Sequence, residues 1–394
     1  MFLSRRIARY FENVNKAKKT RMLLTRSSQM TRDQTISILS DVFSANMPSR
    51  ELDLSLSLLI QLTTSPVDSR FSFFPHTVIP LFHRFVSTAL DRRLLSSLFC
   101  VIGNIGADQP KLLSPIFPSL LPELLSIFDV FFATYPTQVF NYIHCLRLVY
   151  LNVEDISREE HLSVYKIIKQ LLTTRNNFPT LMLTLAFLSK LVMISPMLFA
   201  ENFETSEFLT DLIFLLDFVS ISKSDFVDEI TSFSFQILIS LVDRIDSINF
   251  SSCTLETLIS VLKVQTISNV VKFKPLLPMI VGSLYSKVNK FPKHFILFFA
   301  KEMYNQLIHN QELLKPTAWL LTHIEPINLY SEYVLKILKI LIEKGDSSFS
   351  NVGKTLVMKL LSECHNTNTN VEEVILSLQN AHLLEHFQEQ IRFS

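Results

Sequence analysis

Glycine, tryptophan and closely spaced cysteine are all scarce in this chain. Five glycines stand among 394 residues, where average usage near 7% would supply about 28. Phosphate-cradling loops and dinucleotide turns need glycine where the backbone turns sharply or approaches a phosphate. No such glycine pattern occurs, which sets aside most nucleotide-dependent enzymes. Cys100, Cys145, Cys253 and Cys364 are nowhere closer than 45 residues, so metal-knuckle and redox spacings are excluded. No secretory signal precedes them, and the expectation is reduced, mostly buried thiols in a cytosolic or nuclear protein. Trp319 is the one tryptophan.

Charge of one sign is missing from the total but not from the parts. The net charge is +1, yet residues 1–33 hold nine Lys/Arg against two acids, leaving −6 on the remaining 361 residues. A basic arm therefore precedes a mildly acidic body. Long spanning hydrophobic runs are also lacking, although 48% of residues are hydrophobic and the mean hydropathy is +0.29. The most apolar stretch, residues 181–200, has Lys190 at its centre, where a lysine costs about 2.5–3.5 kcal/mol of insertion. Pro196 interrupts it further, so the runs suit buried core helices and no membrane insertion is expected.

What is abundant is helical pattern. The runs 54–62, 94–105, 142–151 and 334–342 read as apolar helices, and strand-like alternation is rare. Sixteen prolines punctuate the chain at intervals that suit helices of ten to fifteen residues. Residues 54–66 and 95–110 superpose at an offset of 43, aligning Gln61 with Asn104. Equivalent positions fall near Leu148, Phe187, Ser240, Ser283 and His323, an average period of about 44 that lies within the armadillo and HEAT range. The one long interval, from Phe187 to Ser240, implies an insertion. The expected fold is all-α, a right-handed superhelical solenoid of roughly eight to ten degenerate armadillo repeats over 33–394, after an arm at 1–32. A solenoid exposes a long concave face, which points to binding rather than catalysis.

Two segments resemble the importin-α nuclear import adaptors. Residues 5–28, RRIARYFENVNKAKKTRMLLTRSS, are similar to that family's basic importin-β-binding arm, above all in the KAKK run at 16–19 followed by Leu23. Residues 101–109, VIGNIGADQ, resemble the family's Gly-Asn-Ile-x-x-Asp helix end. Weaker likenesses follow in the same order at 317–326, 333–346 and 370–391.

The resemblance implies an adaptor found in cytoplasm and nucleus, with no cofactor, no catalytic residue and no direct nucleic-acid partner. It would bind importin-β through Arg5, Arg6, Arg9, Lys16, Lys18, Lys19, Arg21, Leu23 and Arg26. Cargo proteins with Lys/Arg-rich localisation signals would lie in the concave groove, and release would involve an export factor with Ran-GTP. The family grips extended cargo with Trp and Asn one helical turn apart, so that both share a face. Asn104 matches an array Asn, but Cys100 stands where Trp is expected; Asp108 matches the acid used for the principal lysine. Trp319 matches a distal array Trp, with His323 in place of Asn. Elsewhere the pairs read Ser57/Gln61, His144/Leu148, Leu183/Phe187, Gln236/Ser240 and Met279/Ser283, all departures. In the arm, Leu24-Thr25-Arg26 replaces the family's inhibitory Lys-Arg-Arg cluster, which implies weak autoinhibition.

Plainer readings stand beside these. The arm also fits a solvated basic tail or a nucleic-acid arm. Asn104 and Asp108 fit a helix end and its turn acid, and Trp319 a core aromatic. A general armadillo/HEAT-like scaffold without nuclear-signal cargo is the alternative function. His382, Glu385 and His386 fit an H-x-x-E-H zinc motif, but they lie in an expected capping helix, and no enzyme activity is expected from them.

Overall fold

The computed structural model describes residues 31–323 apart from 45–47, 65–66, 68, 90, 175–176, 269–273 and 290, together with 333, 336, 337 and 340. Its described residues are predominantly helical. Fifteen α-helices carry labels here: α1 Arg32–Ser44, α2 Ser49–Thr63, α3 Pro75–Ser87, α4 Leu95–Asp108, α5 Phe117–Thr134, α6 Val139–Leu151, α7 Arg158–Leu172 and α8 Phe178–Ile194. They continue as α9 Pro196–Asn202, α10 Thr205–Ser220, α11 Val227–Val242, α12 Ser252–Ile267, α13 Leu276–Lys287, α14 Lys293–Leu307 and α15 Leu314–His323. Extended pairing among the described residues is limited to a single bridge between Ile248 and Val288.

The starts of these helices follow local chemistry. Ser157 opens α7 with a capping box: its hydroxyl accepts from the Glu160 amide at 3.3 Å, and Glu160 Oε2 accepts from the Ser157 amide at 2.8 Å. Glu204 and Ser251 cap α10 and α12 by single bonds, accepting from the amides of Glu207 and Thr254. Pro75 and Pro196 take first-turn positions, where a missing N–H costs no hydrogen bond. Pro80 and Pro122 depart from that expectation and lie inside α3 and α5. Both face solvent, so water can reach the carbonyl each leaves unpaired.

Two compact units divide the chain, residues 1–184 and 185–394, with the boundary inside α8. In the first, α2, α4 and α6 pack in succession as one row, and α3, α5 and α7 as a second. Phe82, Phe99, Phe131 and Tyr142 meet between the rows of the first unit; Phe99 lies 5.3 Å from Phe131 and 5.5 Å from Tyr142, both edge-on. All four rings are fully buried, and the Tyr142 hydroxyl donates to the Leu124 carbonyl at 3.0 Å. In the second unit α11, α13 and α15 form one row, and α10, α12 and α14 another.

Several tertiary hydrogen bonds in each unit join residues 40 to 45 apart, near the period of about 44 expected from the sequence. Asn104 to Thr63, Asn141 to Ser96 and His83 to Glu123 in the first unit join residues 40 to 45 apart. Ser283 to Asp243, Gln306 to the Thr266 carbonyl and Asn289 to Asn249 in the second each span 40. All seven positions aligned in sequence, from Gln61 to His323, fall in helices, and the long interval between Phe187 and Ser240 holds two helices, α9 and α10.

The segment 181–200 divides into α8 and α9, bent by 117°. Among the described residues one unbroken stretch, Pro110–Thr134, is long and apolar enough to cross a bilayer by length and composition. It is two-faced, however. Phe117, Leu120, Leu124, Phe128 and Phe131 are buried, while Ser119, Ser126 and Asp129 are exposed, the pattern of a core helix.

Candidate functional site

The face that sequence comparison singles out lies on the row α2–α4–α6. Its α4 stripe is Ser97, Cys100 and Asn104, all half-buried, ending at exposed Asp108. These positions recur every three or four residues because the opposite side of α4 is committed to the core through Leu98, Phe99, Ile102 and Ile105, none of which is accessible. Asn104 Nδ2 donates to Thr63 Oγ1 of α2 at 3.2 Å and sits 4.0 Å from Cys100 Sγ. Thr63 in turn donates to the Leu59 carbonyl at 2.7 Å. The amide oxygen of Asn104 has the capacity to accept a further hydrogen bond. Asp108 accepts a short hydrogen bond from the Val67 amide, so it ties the end of α4 to the chain leaving α2. One carboxylate oxygen is used there, and the second can still take a cation.

His144 of α6 is the next ring along this row, and it stands directly on Gly103. A Cβ at position 103 would lie 2.2 Å from His144 Cδ2 and 2.8 Å from Nε2. Only glycine admits this approach. Phe140, one turn earlier on α6, stacks on the imidazole at 6.5 Å with 16° between planes. Burial lowers the His144 pKa and the Arg147 charge lowers it further, with a backbone hydrogen bond at Gly103 partly opposing. The imidazole is thus held neutral, as an aromatic wall rather than a cation.

The second unit repeats the device. Trp319 of α15 lies on Gly282 of α13, where a Cβ would come within 2.6 Å of its Cζ3. Ser283, the next residue, is buried and donates to Asp243 at the end of α11 at 2.6 Å. Met279, one turn before Ser283, is half-buried. Trp319 is half-buried, with its ring packed against Gly282. The side chain of His323 lies outside the described residues, as do Arg5, Arg6, Arg9, Lys16, Lys18, Lys19, Arg21, Leu23 and Arg26 of the arm.

Asn104 and Asp108 are brought together in the first unit, and Trp319 belongs to the second. The two glycine seats were missed as site features in the sequence. Their signal was present: in a chain with five glycines, two of them occur at matched places, immediately before Asn104 and before Ser283. Cysteine burial is also corrected, since Cys145 is buried and Cys100 half-buried but Cys253 is exposed. No group of three or more His, Cys, Asp or Glu among the described residues could hold a metal. His382, Glu385 and His386 lie outside them.

Comparison with solved structures finds a likeness of fold. An engineered protein of known crystal structure matches with a TM-score of 0.50 over 87% of this chain and 91% of its own, at 12% identity. That identity speaks to fold alone. No family model and no curated protein matches the chain.

Proposed function

We propose that this chain is a nuclear import adaptor of the importin-α kind, an armadillo-repeat solenoid that holds Lys/Arg-rich localisation signals in extended form. The observation that carries the reading is the row α2–α4–α6, where half-exposed Asn104 stands beside a glycine-seated ring and ahead of Asp108. An extended peptide has backbone groups to satisfy, aliphatic lysine stems to cover and ammonium charges to neutralise. Amide, ring and carboxylate supply these in turn. The second row offers Trp319 with Met279 as a more apolar counterpart.

Importin-β would take the basic arm, through Arg5, Arg6, Arg9, Lys16, Lys18, Lys19, Arg21, Leu23 and Arg26, and an export factor with Ran-GTP would return the adaptor to the cytoplasm. What supports this part is the resemblance of residues 5–28 alone. The specific observation on the side of a general protein-binding scaffold is that Asn104 and Asp108 both have partners within the chain, Thr63 and Val67.

Two measurements separate these readings. Residues 1–32 fused to a reporter are expected to bind importin-β, and the Lys18→Ala, Lys19→Ala double variant to lose that binding. Titration of the full chain with a lysine-rich peptide is expected to perturb the emission of Trp319. An arm that does not bind importin-β, with no peptide binding by calorimetry, would leave the scaffold reading.

A further inference from the structure

Arg147 follows His144 by three residues on α6, so both side chains emerge on the same side of the helix. Arg147 is half-buried, and its Nε is shut off from water with no hydrogen-bond partner. The guanidinium has no ion-pair or hydrogen-bond partner among the described residues. Supply from its surroundings is poor. No acidic residue occurs in α6, and the one acid of α4, Asp108, lies at the C-terminal end of that helix and forms no ion pair with Arg147. Burial lowers the Arg147 pKa, with no carboxylate to offset it. A guanidinium taken from water without an acceptor is a cost to the free protein. Part of it is recovered if a ligand brings an anion to the terminal Nη groups, whose planar pair fits a carboxylate in two parallel hydrogen bonds.

We infer that Arg147, beside the His144 ring, is an anion-accepting subsite that takes the carboxylate of an acidic residue in the bound peptide. The inference rests on the proposed reading of this row as a peptide groove and makes its specificity more exact. Neighbouring helices lie about 8–10 Å apart, and an extended chain advances about 3.3 Å per residue. The acid should therefore lie about three residues from the one whose backbone meets Asn104. Ligands would carry a basic run and, at this fixed offset, a Glu or Asp. A uniformly basic peptide would leave Arg147 unpaired and place a like charge against it.

The test is calorimetric titration of the full chain with a lysine-rich peptide and a series in which one Glu is moved along it. One register is expected to bind about tenfold tighter than its Ala counterpart, the worth of a charged hydrogen bond discounted for partial exposure. Arg147→Glu is expected to reverse the preference, so that Lys in that register now binds tighter than Glu. Arg147→Lys, which keeps the charge but loses the fork, should retain only part of the gain and serves if the Glu variant fails to fold. If the parent peptide binds but no register responds to Glu, or Arg147→Glu leaves the preference unchanged, this inference is overturned and the groove reading stands. If neither the parent nor any Glu peptide binds, both fall.

Discussion

The two units solve one packing problem with different chemistry. In the first, Gly103 receives the His144 ring and the next residue, Asn104, donates back 41 positions to Thr63. In the second, Gly282 receives the Trp319 ring and the next residue, Ser283, donates back 40 positions to Asp243. A bare stretch of backbone, a ring laid on it and a small polar staple recur in the same order. The first seat is polar, with Phe140 and Arg147 beside a neutral imidazole; the second is apolar, with an indole and Met279 nearby. The lesson is that the same close approach of a ring to helix backbone is made with different side chains in the two units.

Removing the core beneath the first row should have the largest effect. Phe99 is wholly buried among Phe82, Phe131 and Tyr142, and Phe99→Ala is expected to cost about 3–5 kcal/mol in chemical unfolding. A loss under about 1 kcal/mol would mean that the first unit is not organised around this cluster.

The seats themselves come next. Gly282→Ala forces a methyl against the rigid indole and should destabilise by about 1–3 kcal/mol, the usual range for overpacking, although alanine favours a helix by about 0.5–1 kcal/mol. Gly103→Ala should cost less, because the smaller imidazole can turn toward solvent. Equal losses, or a gain at Gly282, would break the proposed difference between the seats. Below these stands Asn104→Ala, which removes one part-buried hydrogen bond worth about 0.5–1.5 kcal/mol.

The smallest effect is a pH dependence peculiar to the first seat. His144 is lowered in the folded chain, chiefly by burial and then by Arg147. The unfolded chain therefore takes up the proton first, and stability is lost as pH falls below about 6.5. His144→Phe should flatten the fall in urea midpoint between pH 7.5 and 5.5. Some slope will persist from His161, which burial also lowers. An unchanged slope would show that His144 titrates as a solvated histidine.

Much of this architecture was legible because it is periodic. The 43-residue offset between Gln61 and Asn104 and the helical spacing of Leu, Ile and Phe follow directly from faces that must be buried. The α4 stripe of Cys100, Asn104 and Asp108 was legible for the same reason. What could not be read was which partner each polar group would find. Thr63 and Val67 lie 41 residues from Asn104 and Asp108, and only packed helices bring them together. The glycine seats escaped notice because glycine inside a helix usually signals weakness, and its use here depends on a ring arriving from the next helix. Pro80 and Pro122 read as boundaries in the sequence, since nothing local reveals that their missing hydrogen bonds face water.

The claim that these rows are peptide-binding faces is tested most directly by titrating one lysine-rich peptide into the wild-type chain and into Asn104→Ala and Trp319→Phe, each checked for a native thermal transition. The account predicts that each substitution weakens binding several-fold, with the larger loss at Asn104, where amide, ring and carboxylate converge. Undiminished affinity in both folded variants would contradict it.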